Sequence, residues 1–215
     1  MTEPPDLARI REANRGHGLA RRDLPARPIE LWRRWLADAR SAGLSEANAM
    51  IVSTVDPDGT PSSRTVLCKG ADDDGFVFFT NYLSRKGMAL ADEPRVSLLF
   101  PWHEIARQVI VSGAAVPTSR SESEAYFATR ARGAQLSAAA SEQSQVLDSR
   151  DRLEQRVAEL AARYDGTDVP CPPHWGGYRV RPWAVEFWQG RNDRLHDRLR
   201  YRRSDDEWVV ERLNP

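Results

Sequence analysis

Of the 31 basic residues in this 215-residue chain only Lys69 and Lys86 are lysines, and every other one is Arg. Arg can replace a surface cation at little physical cost. A site that needs a compact ammonium on a flexible stem does not tolerate that exchange, so both lysines are candidate anion contacts. Lys86 stands in Thr80-Asn-Tyr-Leu-Ser-Arg-Lys-Gly87, where a β-like run gives way to a hydroxyl, two cations and a predicted helix start. Backbone N–H groups and fixed positive charge converging there would suit a phosphate. A capped helix start with solvated Arg85 and Lys86 is the plain structural reading of the same residues.

Arg64 and Lys69 bracket a strand-like run of Thr65, Val66, Leu67 and Cys68, a poor place to leave cations without partners. Strict alternation sends positions 64 and 69 to opposite faces, so either the strand end bends or only one reaches a given ligand. Tyr126, Arg130 and Arg132 form a second basic cluster at a predicted helix end, suited to another phosphate or to the helix dipole. Near the C-terminus, Arg194 and His196 share one face if extended, a permanent cation beside a titratable donor, with Trp188 as a flat apolar wall. That trio would suit a planar anionic ring, or it is a surface network beside a core Trp.

Other chemistries lack their usual support. Cys68 and Cys171 have no CxxC or Cys/His spacing for zinc, and His17, His103, His174 and His196 include no HExxH. No GxSxG elbow is present, and no metal is expected. Acidic and basic residues balance to a formal charge of zero, which removes long-range attraction to nucleic acid or to an anionic membrane. Neither a secretory h-region nor a spanning apolar run is present, so a cytoplasmic protein is expected.

The elements that must carry these residues are mixed. Residues 1–27 read as a mobile arm with a short helix, and 28–215 as a single domain. Pro28 opens a helix with the stripe Leu31, Trp32, Trp35, Leu36 and Ala39, ended by Gly43. Strands are expected at 49–55, 64–69, 76–80, 96–100 and 108–116, with turns at Asp56–Gly59 and Asp72–Gly75. Helices are expected at 122–130 and 151–164, separated by a low-complexity stretch at 136–141, before further strands at 178–180, 185–189, 199–202 and 208–213. The fold class is α+β, an antiparallel sheet curling toward a barrel with flanking helices.

In order and spacing these segments resemble the pyridoxine/pyridoxamine 5′-phosphate oxidases over nearly the whole chain. The most specific blocks are Arg64-Thr-Val-Leu-Cys-Lys69, Thr80-Asn-Tyr-Leu-Ser-Arg-Lys86, Phe100-Pro-Trp-His103, Arg107-Gln-Val109, Gln143-Ser144, Trp175-Gly-Gly-Tyr178 and Phe187-Trp-Gln-Gly-Arg191. The resemblance implies an FMN-binding split β-barrel and a homodimer with FMN at the subunit interface. It implies flavin contacts from Arg64, Thr65, Val66, Leu67, Cys68, Lys69, Phe79, Thr80, Arg85, Lys86, Gln108, Gln143, Ser144, Trp188 and Arg198, some supplied by the other subunit. It assigns the substrate phosphate to Lys69, Tyr126 and Arg130, the pyridine ring and the chemistry to Arg194 and His196, and a further contact to Arg11.

By the same resemblance, a small phosphorylated pyridine loses a hydride from C4′ to the flavin, and O2 reoxidises the flavin to give H2O2. Departures from the family pattern gather near the substrate: Ala134 for Ser, Ala131 for Pro, Ser137 for Gly, Ala139 for Trp and Asn14 for Tyr. The Ala134 methyl removes one hydroxyl donor, at about 0.5–1.5 kcal/mol. Two other readings are a phenazine-type flavin oxidase and a non-catalytic binder of FMN or pyridoxal phosphate.

Overall fold

The computed structural model describes residues 18–215. Of the arm with a short helix expected over 1–27, the part before residue 18, with Arg11 and Asn14, lies outside the described residues, and the described part holds one 3-10 turn, Arg21–Asp23. The described part of 1–27 is anchored: Leu19 N donates to Asp197 Oδ2 at 3.0 Å, and Tyr201 donates its hydroxyl to Pro25 O at 2.8 Å. Helix α1 runs Pro28–Ser41 with Pro28 in its first turn. It buries Ile29, Leu31, Trp32, Trp35 and Ala39, and Gly43 follows in the left-handed region at φ +83°.

Nine strands form one antiparallel sheet: β1 Ala49–Val55, β2 Pro61–Leu67, β3 Gly70–Asp72, β4 Gly75–Asn81, β5 Arg95–Trp102, β6 Arg107–Pro117, β7 Trp175–Gln189, β8 Asp197–Ser204 and β9 Glu207–Leu213. Their order is β2-β1-β5-β6-β7-β4-β3, with β8 on β7 and β9 on β8. The two outer strands of that path, β2 and β3, are consecutive in the chain and separated only by Cys68 and Lys69. Cys68 N donates to Asn48 O beside β1, and Lys69 N donates to Val77 O on β4. These two amides turn the sheet back on itself, which makes the curled half-barrel.

The split in the barrel is written in β7. One edge pairs with β6 along Tyr178–Gln189, while the other pairs with β4 from Trp175 to Val180 and with β8 from Ala184 to Gln189. The change of partner coincides with a bulge: Ser112 faces Ala184, Gly113 faces Pro182, and Trp183 is the extra residue. Pro182 donates no backbone N–H and suits the break. Gly113 is required because a Cβ there would meet Arg181 O at 2.5 Å.

Inside the barrel Trp32 meets Phe76 and Phe100 edge-on, both at 5.3 Å. A second apolar cluster, centred on Phe127, Leu136, Val169 and Trp175, packs helices α3 Arg120–Ala128, α4 Arg132–Ala140 and α5 Arg150–Arg163 against the outside of β4 and β7. The fifth helix, α2, spans Arg85–Asp92.

Three expectations are corrected. The stretch 136–141 falls within and just past α4, because Ala-rich sequence is strongly helix-forming. The strands expected at 178–180 and 185–189 are one strand, since the bulge bends the ladder without ending it. The strand expected at 64–69 is shifted to 61–67 by the change of partner at Cys68–Lys69. Among the described residues no helix is long and apolar enough to cross a membrane, and no three His, Cys, Asp or Glu residues converge as metal ligands.

Candidate functional site

A cleft of about 810 Å³ opens between the β2–β3 bend, the β4–α2 turn and the α3–α4 layer. Arg64, Lys69, Arg85, Lys86 and Arg130 line it, and no Asp or Glu does so among the described residues. β2 ends at Leu67, so the chain bends at 68–69 and both Arg64 and Lys69 face the cleft. That resolves the alternatives left by strand alternation. Thr65, Val66 and Leu67 form the floor between them.

The β4–α2 turn is built by local polar bonds. Ser84 caps α2 by accepting from Gly87 N and donates its own hydroxyl to Asn81 O at 2.7 Å. Gly87 is obligatory here, because a Cβ would lie 2.2 Å from Tyr82 O. Lys86 is buried and among the described residues donates only to neutral oxygens: Gln143 Oε1 at 2.9 Å, Thr80 Oγ1 at 3.1 Å and Ser84 Oγ at 3.3 Å. Burial, and then the charge of Arg64, push its ammonium down to about 8. Arg64 likewise donates to Val52 O, Thr54 Oγ1 and Ser62 Oγ, none of them charged. Burial first, with Arg85 adding to it and Asp56 opposing, lowers its guanidinium from the usual arginine range. Arg85 is the exception, paired with Asp56 at 2.5 Å.

The opposite wall is aromatic. Phe79 stacks on Tyr126 at 4.0 Å and 16°, and on Trp175 at 5.5 Å and 10°. Arg130 follows α3, lies over the Trp175 ring at 4.8 Å, and has a buried Nη1 without a hydrogen-bond partner among the described residues. Such an orphaned cationic donor fits an incoming anion. Arg132 does not join this cluster; of the two alternatives that the spacing left open, it takes a helix C-terminus, that of α5 and not of its own preceding helix. It donates to Tyr164 O, the C-cap carbonyl of α5, and to Thr167 O in the loop that follows.

Thus Arg64, Thr65, Val66, Leu67, Lys69, Phe79, Thr80, Arg85, Lys86, Tyr126, Arg130, Gln143 and Ser144 converge on one cleft. Cys68 does not line it. Its side chain is in the core, its thiol donates to Gly70 O, and burial pushes that thiol up to about 11. Asn81, Ser141 and Trp175 also line the cleft. Asn81 and Trp175 stood in blocks singled out from the sequence without being given a role.

Gln108, Trp188, His196 and Arg198 are gathered elsewhere, and Arg194 stands in the turn just before His196. Gln108 faces Trp188 across β6–β7, and Trp188 faces Arg198 across β7–β8, so the three form a row on one sheet face. His196 packs on Trp188 at 4.6 Å, and Arg198 is held by Glu186 at 2.7 Å. Arg194 and His196 are not on an extended segment, so the condition under which they would share one face is not met. Asn192–Arg194 form a 3-10 turn with Asp193 and Arg194 both at positive φ, closed by Leu195 N to Asn192 O. Arg191 N donates to His196 Nδ1 at 3.1 Å, which leaves the imidazole proton on Nε2.

Residues 36–164 match the family model described as pyridoxamine 5′-phosphate oxidase. Residues 175–215 match the pyridoxine 5′-phosphate oxidase C-terminal dimerisation region. The chain is 54% identical over 210 residues to the pyridoxine/pyridoxamine 5′-phosphate oxidase of Rubrobacter xylanophilus, covering 98% of this chain and 97% of that one. Its identity to the protein of the same name from a Nocardioides species is 55%, covering 98% of each. Among solved structures, PhzG from Burkholderia lata 383 in complex with tetrahydrophenazine-1-carboxylic acid superposes with a TM-score of 0.86 at 39% identity, covering 90% of this chain and 95% of that one. An FMN-binding protein from Nostoc punctiforme, 21% identical with a TM-score of 0.68 over 86% of this chain and 97% of that one, shares the fold. The chain belongs to the pyridoxamine 5′-phosphate oxidase family.

Proposed function

We propose that this protein is an FMN-dependent oxidase that converts pyridoxamine or pyridoxine 5′-phosphate to pyridoxal 5′-phosphate, with O2 as acceptor and H2O2 as product, the amine also consuming water and releasing ammonia. The observation that carries this reading is the cleft itself: among the described residues it is lined by five cations and no carboxylate, and it holds a buried lysine whose partners are all neutral. Such a donor set is matched by phosphate.

Arg64, Arg85 and Lys86 hold the flavin phosphate, with Thr80, Gln143 and Ser144 alongside. Lys69, Tyr126 and Arg130 hold the substrate phosphate. Bound FMN supplies a hydride acceptor for C4′ and a route for the electrons to O2. The protein contributes position: two separate cationic grips align one ring on the other, which accounts for up to about 7 kcal/mol of a barrier. Gln108, Trp188, Arg194, His196 and Arg198 complete the site of a second copy, because they lie on the segment matched to a dimerisation region or pair with it across the sheet. Arg194 orients the 4′ substituent, and His196 presents Nε2–H to the substrate.

The test is direct: protein loaded with FMN, given pyridoxine or pyridoxamine 5′-phosphate in air, yields the aldehyde and peroxide. Bound flavin without turnover of either substrate would overturn the assignment. Oxidation of a reduced phenazine carboxylate instead would assign the cleft to the PhzG-like reading.

A further inference from the structure

We infer that Asn81 is the positioning residue that holds the two walls of the cationic cleft in register. This rests on the phosphate site proposed above and names a residue outside the flavin and substrate contacts. Asn81 is the last residue of β4 and is 6% exposed. Its two side-chain atoms point to different elements. Oδ1 accepts from Leu83 N at 2.8 Å, shaping the turn that starts α2 and therefore setting where Arg85 and Lys86 emerge. Nδ2 donates to Ser141 O at 3.3 Å, just past the end of α4.

That second bond lies two residues before Gln143, whose Oε1 accepts from both Lys86 Nζ at 2.9 Å and Thr80 Oγ1 at 3.3 Å. The segment it restrains is conformationally demanding. Ser144 sits in the left-handed region at φ +76°, a conformation that a non-glycine residue keeps only when its surroundings impose it. Ser141 N is held by Ser137 O and Gln145 N by Glu142 O, both within the same stretch. From β4 the only side-chain bond to its backbone among the described residues comes from Asn81. Without it, the segment that carries Gln143 loses its backbone tether to β4, and the bond between Gln143 and Lys86, the shortest that the ammonium makes, is weakened.

The two bonds can be separated. Asn81→Ser keeps a short side chain able to accept from the amide two residues on, as in an Asx-type turn, and is too short to reach Ser141. Flavin fluorescence quenching then measures FMN binding. Asn81→Ser is expected to weaken it about fivefold to tenfold, with circular dichroism and melting temperature near those of the parent. In a Gln143→Ala background the same substitution is expected to change affinity less than about twofold, because the tether acts through Gln143. An equal factor in both backgrounds, or no change in the single variant, overturns the inference. Should the variant fail to fold, hydrogen exchange on the parent decides the point: the Leu83 and Gln145 amides gain protection together when FMN binds, and protection of one alone overturns it. A parent protein that does not bind FMN would instead overturn the phosphate site and the proposed function.

Discussion

Arg64 and Lys86 line the same cleft close enough for the guanidinium to add to burial in pushing the Lys86 ammonium from its ordinary 10.5 down to about 8. The folded value lies below the unfolded one, so the flavin-free protein carries the full destabilisation below about pH 8. It gains stability as pH rises from about 8 toward 10.5. A phosphate at Lys86 favours the charged form, so FMN affinity runs the other way and falls as pH passes about 8. Quenching titrations and melts of the flavin-free protein across that window check both slopes. Lys86→Met should abolish both, and an affinity flat to about pH 9.5 would contradict the role given to this lysine.

Lys86→Ala removes a charge-assisted donor and is expected to weaken FMN binding about 10- to 100-fold. Arg194→Ala should leave flavin affinity within about threefold while lowering kcat/KM about 100-fold, because Arg194 acts on the substrate ring. Parallel binding and turnover measurements read the two effects. The reverse ordering would mean that the two cationic groups have exchanged roles.

Tyr126 has two separable jobs. Tyr126→Phe keeps the stack on Phe79 and loses the hydroxyl, so KM for a phosphorylated substrate should rise about fivefold at unchanged melting temperature. Tyr126→Ala should also destabilise the helical layer, by about 1–3 kcal/mol in denaturant unfolding. Equal stability of the two variants would show that the stack contributes nothing to folding.

At the barrel split, Gly113→Ala places a methyl 2.5 Å from Arg181 O, a backbone atom that cannot swing aside. Chemical denaturation should show a loss of about 1–3 kcal/mol. An unchanged midpoint would mean that β6 and β7 part there without strain.

Much of the cleft was legible because its chemistry is local. Ser84, Arg85 and Lys86 are contiguous, and the cap and the cations come from the same turn. The bend that brings Lys69 to the side of Arg64 has no local signal, since it depends on Lys69 N pairing with Val77 O on another strand. The choice that Arg132 makes has none for a similar reason: its acceptors, Tyr164 O and Thr167 O, lie more than 30 residues away. The Arg194–His196 turn escaped an extended reading because left-handed φ at two successive non-glycine residues has no sequence signal of its own. α4 was readable in principle from its alanines, and its repetitive composition masked it.

The most direct test of the whole account is a crystal structure grown with FMN. The phosphate is expected within hydrogen-bonding distance of Lys86 Nζ and of the Arg64 and Arg85 guanidiniums, with Gln143 beside it. A flavin phosphate bound away from the Ser84–Lys86 turn would contradict it.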